Sequence, residues 1–376
     1  MKNIRIGIDM HTVDGTFQGL RTHVLEIFSR VIALCPEIDF FLFLQNTTTL
    51  SEFSNNFNLP NVTMVRIPVS NQILRLMWFL PLTQRKFNLD YFHSQYILPF
   101  PLFSKGIVTI HDILFETHPQ YFSTLFKIRS KLLIKYAAKI SEHIFTVSNY
   151  SKDTIINTYN MDSDKITVIY NAASKIFSNT NKNDNLIKRF SLKSKNYLLT
   201  VGRSDKRKNY RMLLKAYSTI KDKIPPLVIV DSSSKQFLLK KYIEKYNLIG
   251  KVKIISNINI SVLSEIYKNA LLFIYPSYAE GFGIPVIEAM ASGLCVLTSN
   301  TTSLKEIGNN AAYLVNPIKP DDLANAIQTI LKNDGFRKKY EILSKKRASE
   351  FSWDESSHKV AEYYKSLYSY QVDRKL

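Results

Sequence analysis

The fold is constrained most strongly by a repeated alternation of short β-branched segments with amphipathic helical segments along the 376-residue chain. Helical patterns such as 22–34 and 209–220 lie between the strand patterns. Strands separated by helices form right-handed βαβ units with parallel sheets, so the pattern predicts an α/β fold. The predicted strands are 4–8, 40–44, 62–67, 107–110, 143–147, 166–169, 197–201, 227–230, 252–255, 271–275, 295–298 and 312–315.

The alternation is interrupted once, at about 172–195, by a stretch rich in Asn, Lys and Ser that is typical of a linker. A full α/β set lies on each side, and the chain is too long for one ordinary core. We therefore predict two Rossmann-like domains, 1–175 and 176–352, whose parallel sheets face a central cleft. The aromatic, helical segment within 353–376 is expected to pack back on the N-terminal domain. Ligands of such sheets bind beyond the carboxyl ends of the strands.

Composition narrows the class of protein. The opening MKNIRIGIDM has no long apolar region of a signal peptide, and no segment reaches the roughly 18 apolar residues of a spanning helix. Cys35 and Cys295 lie far apart, which predicts no disulfide framework and no metal site, and fits a reducing, cytoplasmic compartment.

The formal net charge of +19 indicates an anionic partner, either nucleic acid, a membrane surface or a phosphorylated small molecule. Alternatively, Lys residues simply solvate the helices.

The most informative motif is the segment 280–293, EGFGIPVIEAMASG, which follows a predicted strand. Gly281 and Gly283 allow the backbone to approach a ligand closely. Pro285 fits the first position of a helix, and Gly293 fits the position that ends it. The free N–H groups at the start of that helix suit an anion such as a diphosphate.

Two carboxylates of this motif are candidate ligand-binding groups. Glu280 precedes the helix and Glu288 lies about one turn into it, so they are placed to hydrogen-bond different parts of one polyhydroxylated ligand. The alternative is that Glu288 only complements the helix dipole and that Glu280 is an ordinary loop acid.

The segment 201–209, VGRSDKRKN, is a second candidate site after a predicted strand. Arg203 supplies a guanidinium fork and Lys208 a point charge, and together they suit a diphosphate leaving group. Asn209 is expected to cap the following helix. The alternative is a basic turn without a ligand.

Three weaker signals complete the set. His111, followed by Asp112, comes directly after a strand and is expected to face the cleft. Gly19 begins the first long helix but lacks the G-x-G-x-x-G fingerprint, which argues against a nicotinamide or flavin site. Asp162 and Asp164 match a D-x-D pattern but lie in a short polar segment, which we interpret as a turn rather than a metal site.

Together these segments resemble the family-4 retaining glycosyltransferases of GT-B fold. Segment 280–293 resembles the family's E-G-F-G-x-P-x-x-E-A-M-A-x-G signature, and VGRSDKRKN its basic donor-phosphate motif. The segments TIHDILFETHPQYF and VSNYSKDTIINTY with KITVIYNA follow in the family's order, so the resemblance covers nearly the whole chain. The chain departs from the family in having only Gly19 in the glycine loop, and Asn171-Ala172 where Asn-Gly is frequent.

The resemblance implies a role for each candidate residue. Residues 1–175 would bind the acceptor and 176–352 the nucleotide sugar. The implied catalytic residues are Glu280 and His111, which contact the donor sugar, and Arg203 and Lys208, which neutralise the diphosphate. The implied donor-binding residues are Glu288 at the ribose, the Gly281-Phe282-Gly283 loop with Ile284 and Pro285 at the sugar or its phosphate, and Gly19 in the N-terminal domain.

The expected activity is retaining, metal-independent sugar transfer from a GDP- or UDP-sugar to a lipid-linked or polysaccharide acceptor in surface-glycan synthesis. Fixed cations and helix N–H groups stabilise a leaving diphosphate, so no metal is required. Similarity to bacterial mannosyltransferases favours GDP-mannose. The alternatives are a nucleotide-sugar epimerase or sugar phosphorylase on the same fold, or a nucleic-acid-binding protein, for which no motif is present. The basic, apolar segment 121–139 predicts peripheral contact with the inner face of the plasma membrane. The alternative is an ordinary core-facing helix with a solvated Lys face.

Overall fold

The computed structural model describes residues 3–15, 19–179, 185–231, 233 and 236–373. The chain divides into two compact units. The first unit comprises Met1–Asn171 and Ser352–Leu376, and the second comprises Ala172–Phe351. The chain thus passes from the first unit to the second four residues before the predicted boundary, and it returns at Ser352.

The first unit is built on a seven-stranded parallel sheet with the order β3-β2-β1-β4-β5-β6-β7. Strands such as β1 and β2 are mostly apolar and buried on both faces, as is usual for parallel sheets that helices cover on both sides. The strands are β1 (Ile4–Asp9), β2 (Ile38–Leu44), β3 (Val62–Arg66), β4 (Tyr91–Gln95), β5 (Lys105–Thr109), β6 (His143–Thr146) and β7 (Ile166–Val168).

Seven α-helices of the first unit lie between these strands. A π-helical turn, Arg75–Phe79, joins the third helix to the fourth, so 72–86 forms one continuous helical segment. The helices are α1 (Gly19–Leu34), α2 (Thr48–Phe53), α3 (Gln72–Leu74), α4 (Leu80–Lys86), α5 (Leu114–Thr117), α6 (Thr124–Ile140) and α7 (Asn149–Tyr159).

Strand β4 lies at the centre of this sheet, yet the sequence pattern did not predict it. Its sequence, YFHSQ, ends in three polar residues and contains no β-branched residue. All five residues are buried. His93 is satisfied there through both ring nitrogens, by the Tyr364 hydroxyl at 2.6 Å and the Thr109 hydroxyl at 2.8 Å. Hydrogen-bond partners that are distant in sequence therefore stabilise this polar strand at the centre of the sheet.

The second unit contains a six-stranded parallel sheet with the order β10-β9-β8-β11-β12-β13, which confirms the predicted α/β fold with two parallel sheets. Its strands are β8 (Leu198–Val201), β9 (Leu227–Val230), β10 (Val252–Ile255), β11 (Leu272–Tyr275), β12 (Val296–Ser299) and β13 (Tyr313–Val315). Its helices are α8 (Lys175–Ser178), α9 (Asn185–Lys188), α10 (Tyr210–Ser218), α11 (Gln236–Lys245), α12 (Ile260–Asn269), α13 (Ile284–Ala291), α14 (Thr302–Gly308), α15 (Pro320–Lys332) and α16 (Asp334–Ser349).

The predicted linker at 172–195 is wrong for its described part, which packs against the second unit. Phe177 is buried with its ring 5.5 Å from that of Tyr267, and Ser264 donates a hydrogen bond to the Ile176 carbonyl at 2.9 Å. Ile187 is also buried. Burial of the Phe177 and Ile187 side chains therefore holds this segment against the rest of the second unit, although its overall composition is polar. Residues 180–184 lie outside the described residues.

The last helix, α17 (Trp353–Asp373), belongs to the first unit. Tyr364 bonds to His93 of β4, and Ser356 donates to the Tyr170 carbonyl at 2.7 Å. The ring of Tyr363 stacks on His143 at 4.1 Å between centroids. Residues 374–376 of the predicted C-terminal segment lie outside the described residues. Among the helices that the structure describes, none has both the length and the apolar composition needed to cross a bilayer.

Candidate active site

The loops that follow β8 and β11 carry most of the predicted site residues. In the second unit, β8 and β11 are adjacent, with β9 and β10 on one side and β12 and β13 on the other. The strand order therefore reverses between β8 and β11. Loops at the carboxyl ends of such a pair border a crevice, which is the usual ligand site of open α/β sheets.

Lys208 and Glu280 are brought together at this point. Lys208 ends a short 3-10 helix after β8, and its Nζ lies 2.7 Å from Glu280 Oε1. The same oxygen accepts hydrogen bonds from the Ser277 hydroxyl at 2.6 Å and the Tyr275 hydroxyl at 3.1 Å. Lys208 also hydrogen-bonds Tyr275. The carboxylate is buried, and Lys208, Tyr275 and Ser277 all donate to one of its two oxygens.

The charge of Glu280 follows from these contacts. Burial by itself would raise the pKa of Glu280, but the charges of Lys208 and Arg207 and the hydrogen bonds from Lys208 and Ser277 hold that pKa below its ordinary value. Glu280 is therefore a fixed anion in a setting of low solvent exposure. Such a group stabilises positive charge that develops next to it.

Arg203 differs from Lys208 in its environment. Its side chain is exposed, and within the described ranges the guanidinium forms no hydrogen bond or ion pair. An exposed guanidinium keeps all of its donors available for a phosphate. The prediction that Arg203 and Lys208 bind a diphosphate together stays a prediction.

Asn209 does not cap the following helix, so that prediction is wrong. Its backbone is in the left-handed region at φ 59°, and its side-chain amide donates instead to the carbonyls of Pro276 at 3.0 Å and Pro317 at 2.7 Å. Asn209 thereby ties the loop after β8 to the loop after β11. Its bond to Pro317 ties the same loop to the segment after β13.

The glycine loop after Glu280 leads directly into helix α13. Gly283 is the residue before the helix and has φ +106°, a conformation that favours glycine. A Cβ at this position would lie 2.7 Å from Leu304 Cδ2. Ile284 and Pro285 are the first two helical residues, and Gly293 lies just beyond the helix end at φ +75°. The sequence prediction of a helix from 285 to the Gly293 cap is thus confirmed within one residue.

Phe282 is packed into the protein rather than offered to a ligand. Its ring lies 5.8 Å from that of Phe351 in an edge-to-face contact, and the side chain is 4% exposed. Its carbonyl accepts a hydrogen bond from the Ser303 hydroxyl at 3.0 Å. Any contact of residue 282 with a ligand therefore involves backbone atoms.

Glu288 lies on α13 in a less polar environment than Glu280. Its Oε2 accepts a hydrogen bond from the Tyr267 hydroxyl at 3.0 Å. Burial raises the pKa of Glu288 to about 7, and the hydrogen bond from Tyr267 offsets only part of that effect. Near neutral pH this carboxyl exists in both protonation states.

His111 and Gly19 lie in the first unit. His111 is buried, with Nε2 2.8 Å from Gln95 Oε1 at the end of β4 and its ring 4.6 Å from that of His23. Burial, together with His23 and His93, lowers the pKa of His111 well below its ordinary value, so its imidazole is neutral. Gly19 is the exposed first residue of α1.

The sequence reasoning missed the hydroxyl groups that hold the two glutamates. Ser277 and Tyr275 bind Glu280, and Tyr267 binds Glu288. The position of Tyr275 and Ser277 at the end of β11 was the available signal, because residues after a strand line the crevice. Tyr267 lies on α12 and had no sequence signal. The D-x-D segment is confirmed as a turn, in which Asp162 accepts a hydrogen bond from the Asp164 amide at 3.0 Å.

Comparison with known proteins assigns a family to each unit. Residues 17–174 match the family Glycosyltransferase Family 4, and residues 182–347 match Glycosyl transferases group 1. The two matches follow one another along nearly all of the chain.

Individual relatives agree with these matches. The O-antigen chain mannosyltransferase RfbU of Salmonella typhimurium is 34% identical over 232 residues, which cover 61% of this chain and 62% of that protein. O-antigen chain mannosyltransferase B of Escherichia coli is 28% identical over 290 residues, 74% of each chain. Among solved structures, Anabaena HepE in complex with UDP and glucose superimposes with a TM-score of 0.76 at 17% identity, covering 97% of this chain and 100% of that one. The chain therefore belongs to the glycosyltransferases of GT-B fold in which a Family 4 domain precedes a group 1 domain.

Proposed function

We propose that the protein transfers mannose from GDP-mannose to a glycan acceptor, with retention of anomeric configuration and without a metal ion. The observation that carries the proposal is the pairing of Lys208 with the buried Glu280 carboxylate beside the start of α13. Two relatives named as O-antigen mannosyltransferases support mannose as the sugar and a surface glycan as the product.

The chemistry of these residues fits cleavage of a sugar–diphosphate bond. As that bond breaks, the sugar gains positive charge and the diphosphate gains negative charge. Glu280 supplies a fixed negative charge for the sugar, whereas Lys208, the exposed Arg203 and the first N–H groups of α13 supply positive charge for the diphosphate. These groups take the part that a metal ion plays in other transferases.

The remaining donor contacts are assigned by position on α13 and its loop. Glu288 is proposed to accept hydrogen bonds from the ribose hydroxyls, and the backbone of Gly281 to Gly283 to contact the sugar phosphate. Ile284 and Pro285 are partly exposed and border this site. His111 and Gly19 are proposed to act from the first unit, His111 on the donor sugar.

Transfer of radiolabelled mannose from GDP-mannose to octyl α-mannoside, with and without EDTA, tests the proposal. We expect turnover to survive EDTA and NMR of the product to show an α-linkage. Glu280→Ala is expected to slow turnover with little change in donor affinity, whereas Glu288→Ala weakens donor binding measured by calorimetry. Loss of turnover that Mg²⁺ or Mn²⁺ restores, or epimerisation or phosphorolysis of the donor without transfer, would contradict the proposal.

We also propose that the first unit binds an anionic membrane surface through helix α6 and the segment 72–86, here called the apolar-basic surface. Helix α6 directs Leu125, Ile128, Leu132 and Tyr136 to solvent at helical spacing, and Leu125 is 79% exposed. Its buried side is formed by small and apolar residues such as Ile134 and the following alanines. The apolar residues of α6 thus form a second, outward stripe that the core does not use.

The segment 72–86 extends this surface. Trp78 is 66% exposed, and Ile73, Leu74, Met77 and Leu82 are also exposed. The Arg129 guanidinium of α6 hydrogen-bonds the Gln72 side chain, so the two elements are neighbours. The surrounding cations are Arg85, Lys86, Lys127, Arg129, Lys131, Lys135 and Lys139.

An anionic bilayer would bind both the exposed apolar side chains and the cations of the apolar-basic surface. Apolar side chains partition into the interface, and each nearby Lys or Arg contributes about 1 kcal/mol at an anionic membrane. Attachment at the inner face of the plasma membrane would bring the enzyme to lipid-linked acceptors. The free cysteines Cys35 and Cys295, both buried, are compatible with that reducing side.

Sedimentation with phosphatidylglycerol-containing and with neutral vesicles at low salt tests the membrane proposal. The double variant Leu125→Ser/Leu132→Ser is expected to lose binding several-fold. Ile342→Ser is the matched control, because Ile342 is equally exposed on α16 of the second unit. Equal recovery of the wild type in the supernatant of both vesicle types would remove the membrane proposal and leave the transferase proposal standing.

A further inference from the structure

A histidine outside the predicted site has the geometry of a ligand-binding group. His11 lies two residues beyond Asp9, the last residue of β1, and its Nδ1 is 3.0 Å from Asp9 Oδ1. The other oxygen of Asp9 is paired with Arg75 of the π-helical turn. Asp9 and Arg75 are both buried, whereas the His11 side chain is 34% exposed.

The ion pair determines which imidazole nitrogen carries the proton. Burial would raise the pKa of Asp9, but His11 and Arg75 hold it far below its ordinary value, so Asp9 is an anion that only accepts hydrogen bonds. His11 Nδ1 must therefore be the donor. In the neutral imidazole the lone pair is then on Nε2, which points away from Asp9.

Other histidines of the first unit show why this arrangement differs from a structural one. His93 uses both ring nitrogens within the fold. His23 is buried and bound to Asn171 Oδ1 at 2.7 Å, and His111 is buried and bound to Gln95. In the part of the chain that the structure describes, His11 is bound to a carboxylate through Nδ1, and no hydrogen bond from a protein group to its Nε2 is present.

The position of His11 within the sheet also indicates a ligand. Strand β1 pairs with β2 on one side and β4 on the other. The chain proceeds from β1 to β2 and β3 in one direction, and from β4 to β7 in the other. The strand order therefore reverses between β1 and β4, and open α/β sheets bind ligands beyond the carboxyl ends of such a pair.

We propose that His11 binds the sugar acceptor, with Nε2 accepting a hydrogen bond from an acceptor hydroxyl. This inference rests on the proposed glycosyltransferase function and names the chemistry of its acceptor subsite. With its lone pair on Nε2, this tautomer accepts a hydrogen bond from an O–H donor, whereas phosphate oxygens offer only acceptors, so the proposed ligand group is a hydroxyl of the glycan. Asp9 is a positioning residue that fixes the tautomer and the ring, and Arg75 keeps Asp9 charged.

Two substitutions of His11 separate these roles. In His11→Asn the side-chain amide still reaches Asp9 but has no atom at the Nε2 position, whereas His11→Gln places an amide oxygen near it. Transfer from GDP-mannose to octyl α-mannoside is measured with both variants of the full chain. We expect His11→Asn to raise the KM for octyl α-mannoside about tenfold, as for a lost hydrogen bond, and His11→Gln to restore most of it.

Donor-binding measurements and a control variant distinguish a loss of acceptor binding from a general loss of activity. GDP affinity by calorimetry and the KM for GDP-mannose are expected to stay unchanged in both variants, and His358→Asn, an exposed histidine of α17, is the matched control. Wild-type acceptor KM in His11→Asn, or an equal loss of donor affinity, would overturn the proposal. If the wild type transfers no mannose, the proposed function fails by itself. Saturation-transfer NMR of octyl α-mannoside on wild type and His11→Asn then still decides acceptor binding, and equal signals would refute it.

Discussion

Glu280 and Glu288 belong to one motif, yet their surroundings shift the two pKa values in opposite directions. The charges of Lys208 and Arg207 and the hydrogen bonds from Lys208 and Ser277 hold the pKa of Glu280 below its ordinary value. Glu288 receives one hydroxyl, from Tyr267, and burial raises its pKa to about 7. Two carboxyl groups with different charge states at neutral pH suit different tasks.

Donor affinity is therefore expected to depend on pH through Glu288. Ribose hydroxyls bind an ionised carboxylate best, and with a pKa of about 7 the ionised fraction rises about tenfold between pH 6 and pH 8. Calorimetry should accordingly give tighter GDP-mannose binding at pH 8 by up to about tenfold. The Glu288→Gln variant should bind weakly at both pH values. A wild-type affinity that does not change with pH would contradict the ribose assignment.

At the scale of elements, the start of α13 depends on a single backbone conformation. Gly283 has φ +106°, and Leu304 of α14 closes the space where a side chain would lie. The turn before the helix therefore tolerates no other residue without strain.

Gly283→Ala is expected to destabilise the second unit by about 2–4 kcal/mol, from φ strain and the clash with Leu304 together. Gly250→Ala is the matched control, because Gly250 has φ +78° but no atom within 4 Å of the added Cβ. Urea unfolding followed by circular dichroism measures both. An equal loss in the two variants would show that Leu304 moves aside and that only the backbone matters.

The attachment of α17 to the first unit is a second feature at this scale. Tyr364→Phe removes the hydroxyl that satisfies His93 Nδ1 in the core, so we expect a loss of about 1–3 kcal/mol in the free energy of unfolding. Tyr136→Phe, at an exposed position of α6, should change stability little. If both variants unfold at the same urea concentration as the wild type, the contact of His93 with α17 contributes nothing to stability.

At the scale of the whole molecule, the first unit contains several buried histidine side chains. Burial lowers the pKa of His23 to about 4, of His93 to about 3 and of His143 to about 4. The unfolded chain binds protons at these histidines below about pH 6.5, whereas the folded unit does not. Their contribution to stability is thus fully present above about pH 6.5 and is lost as the pH falls toward 4.

We expect the first unit to lose stability between pH 7 and pH 5. Both tryptophans, Trp78 and Trp353, lie in the first unit, so tryptophan fluorescence during urea unfolding reports on that unit alone. His358→Gln, a variant at an exposed position, should keep the same pH dependence. A midpoint that stays constant over this pH range would contradict the assignment of neutral buried histidines.

The sequence by itself determined the class of fold and the local structure of the segment 280–293. Periodicity predicted the parallel α/β sheets, because alternation of strands and helices leaves few other arrangements. The residue types of 280–293 predicted the glycine turn and the following helix, because positive φ and helix starts depend on local chemistry.

Features that depend on contacts between residues distant in sequence were decided by the tertiary structure alone. Strand β4 became central because Tyr364 and Thr109 satisfy His93, which no local pattern records. The pKa of Glu280 is lowered by the charges of Lys208 and Arg207, whereas burial raises the pKa of Glu288, and both effects are set by packing. The dyad of His11 with Asp9 is close in sequence, but the charge on Asp9 depends on Arg75, which the π-helical turn brings to the end of β1. Electrostatic interactions depend on distance in space, and only the folded chain fixes that distance.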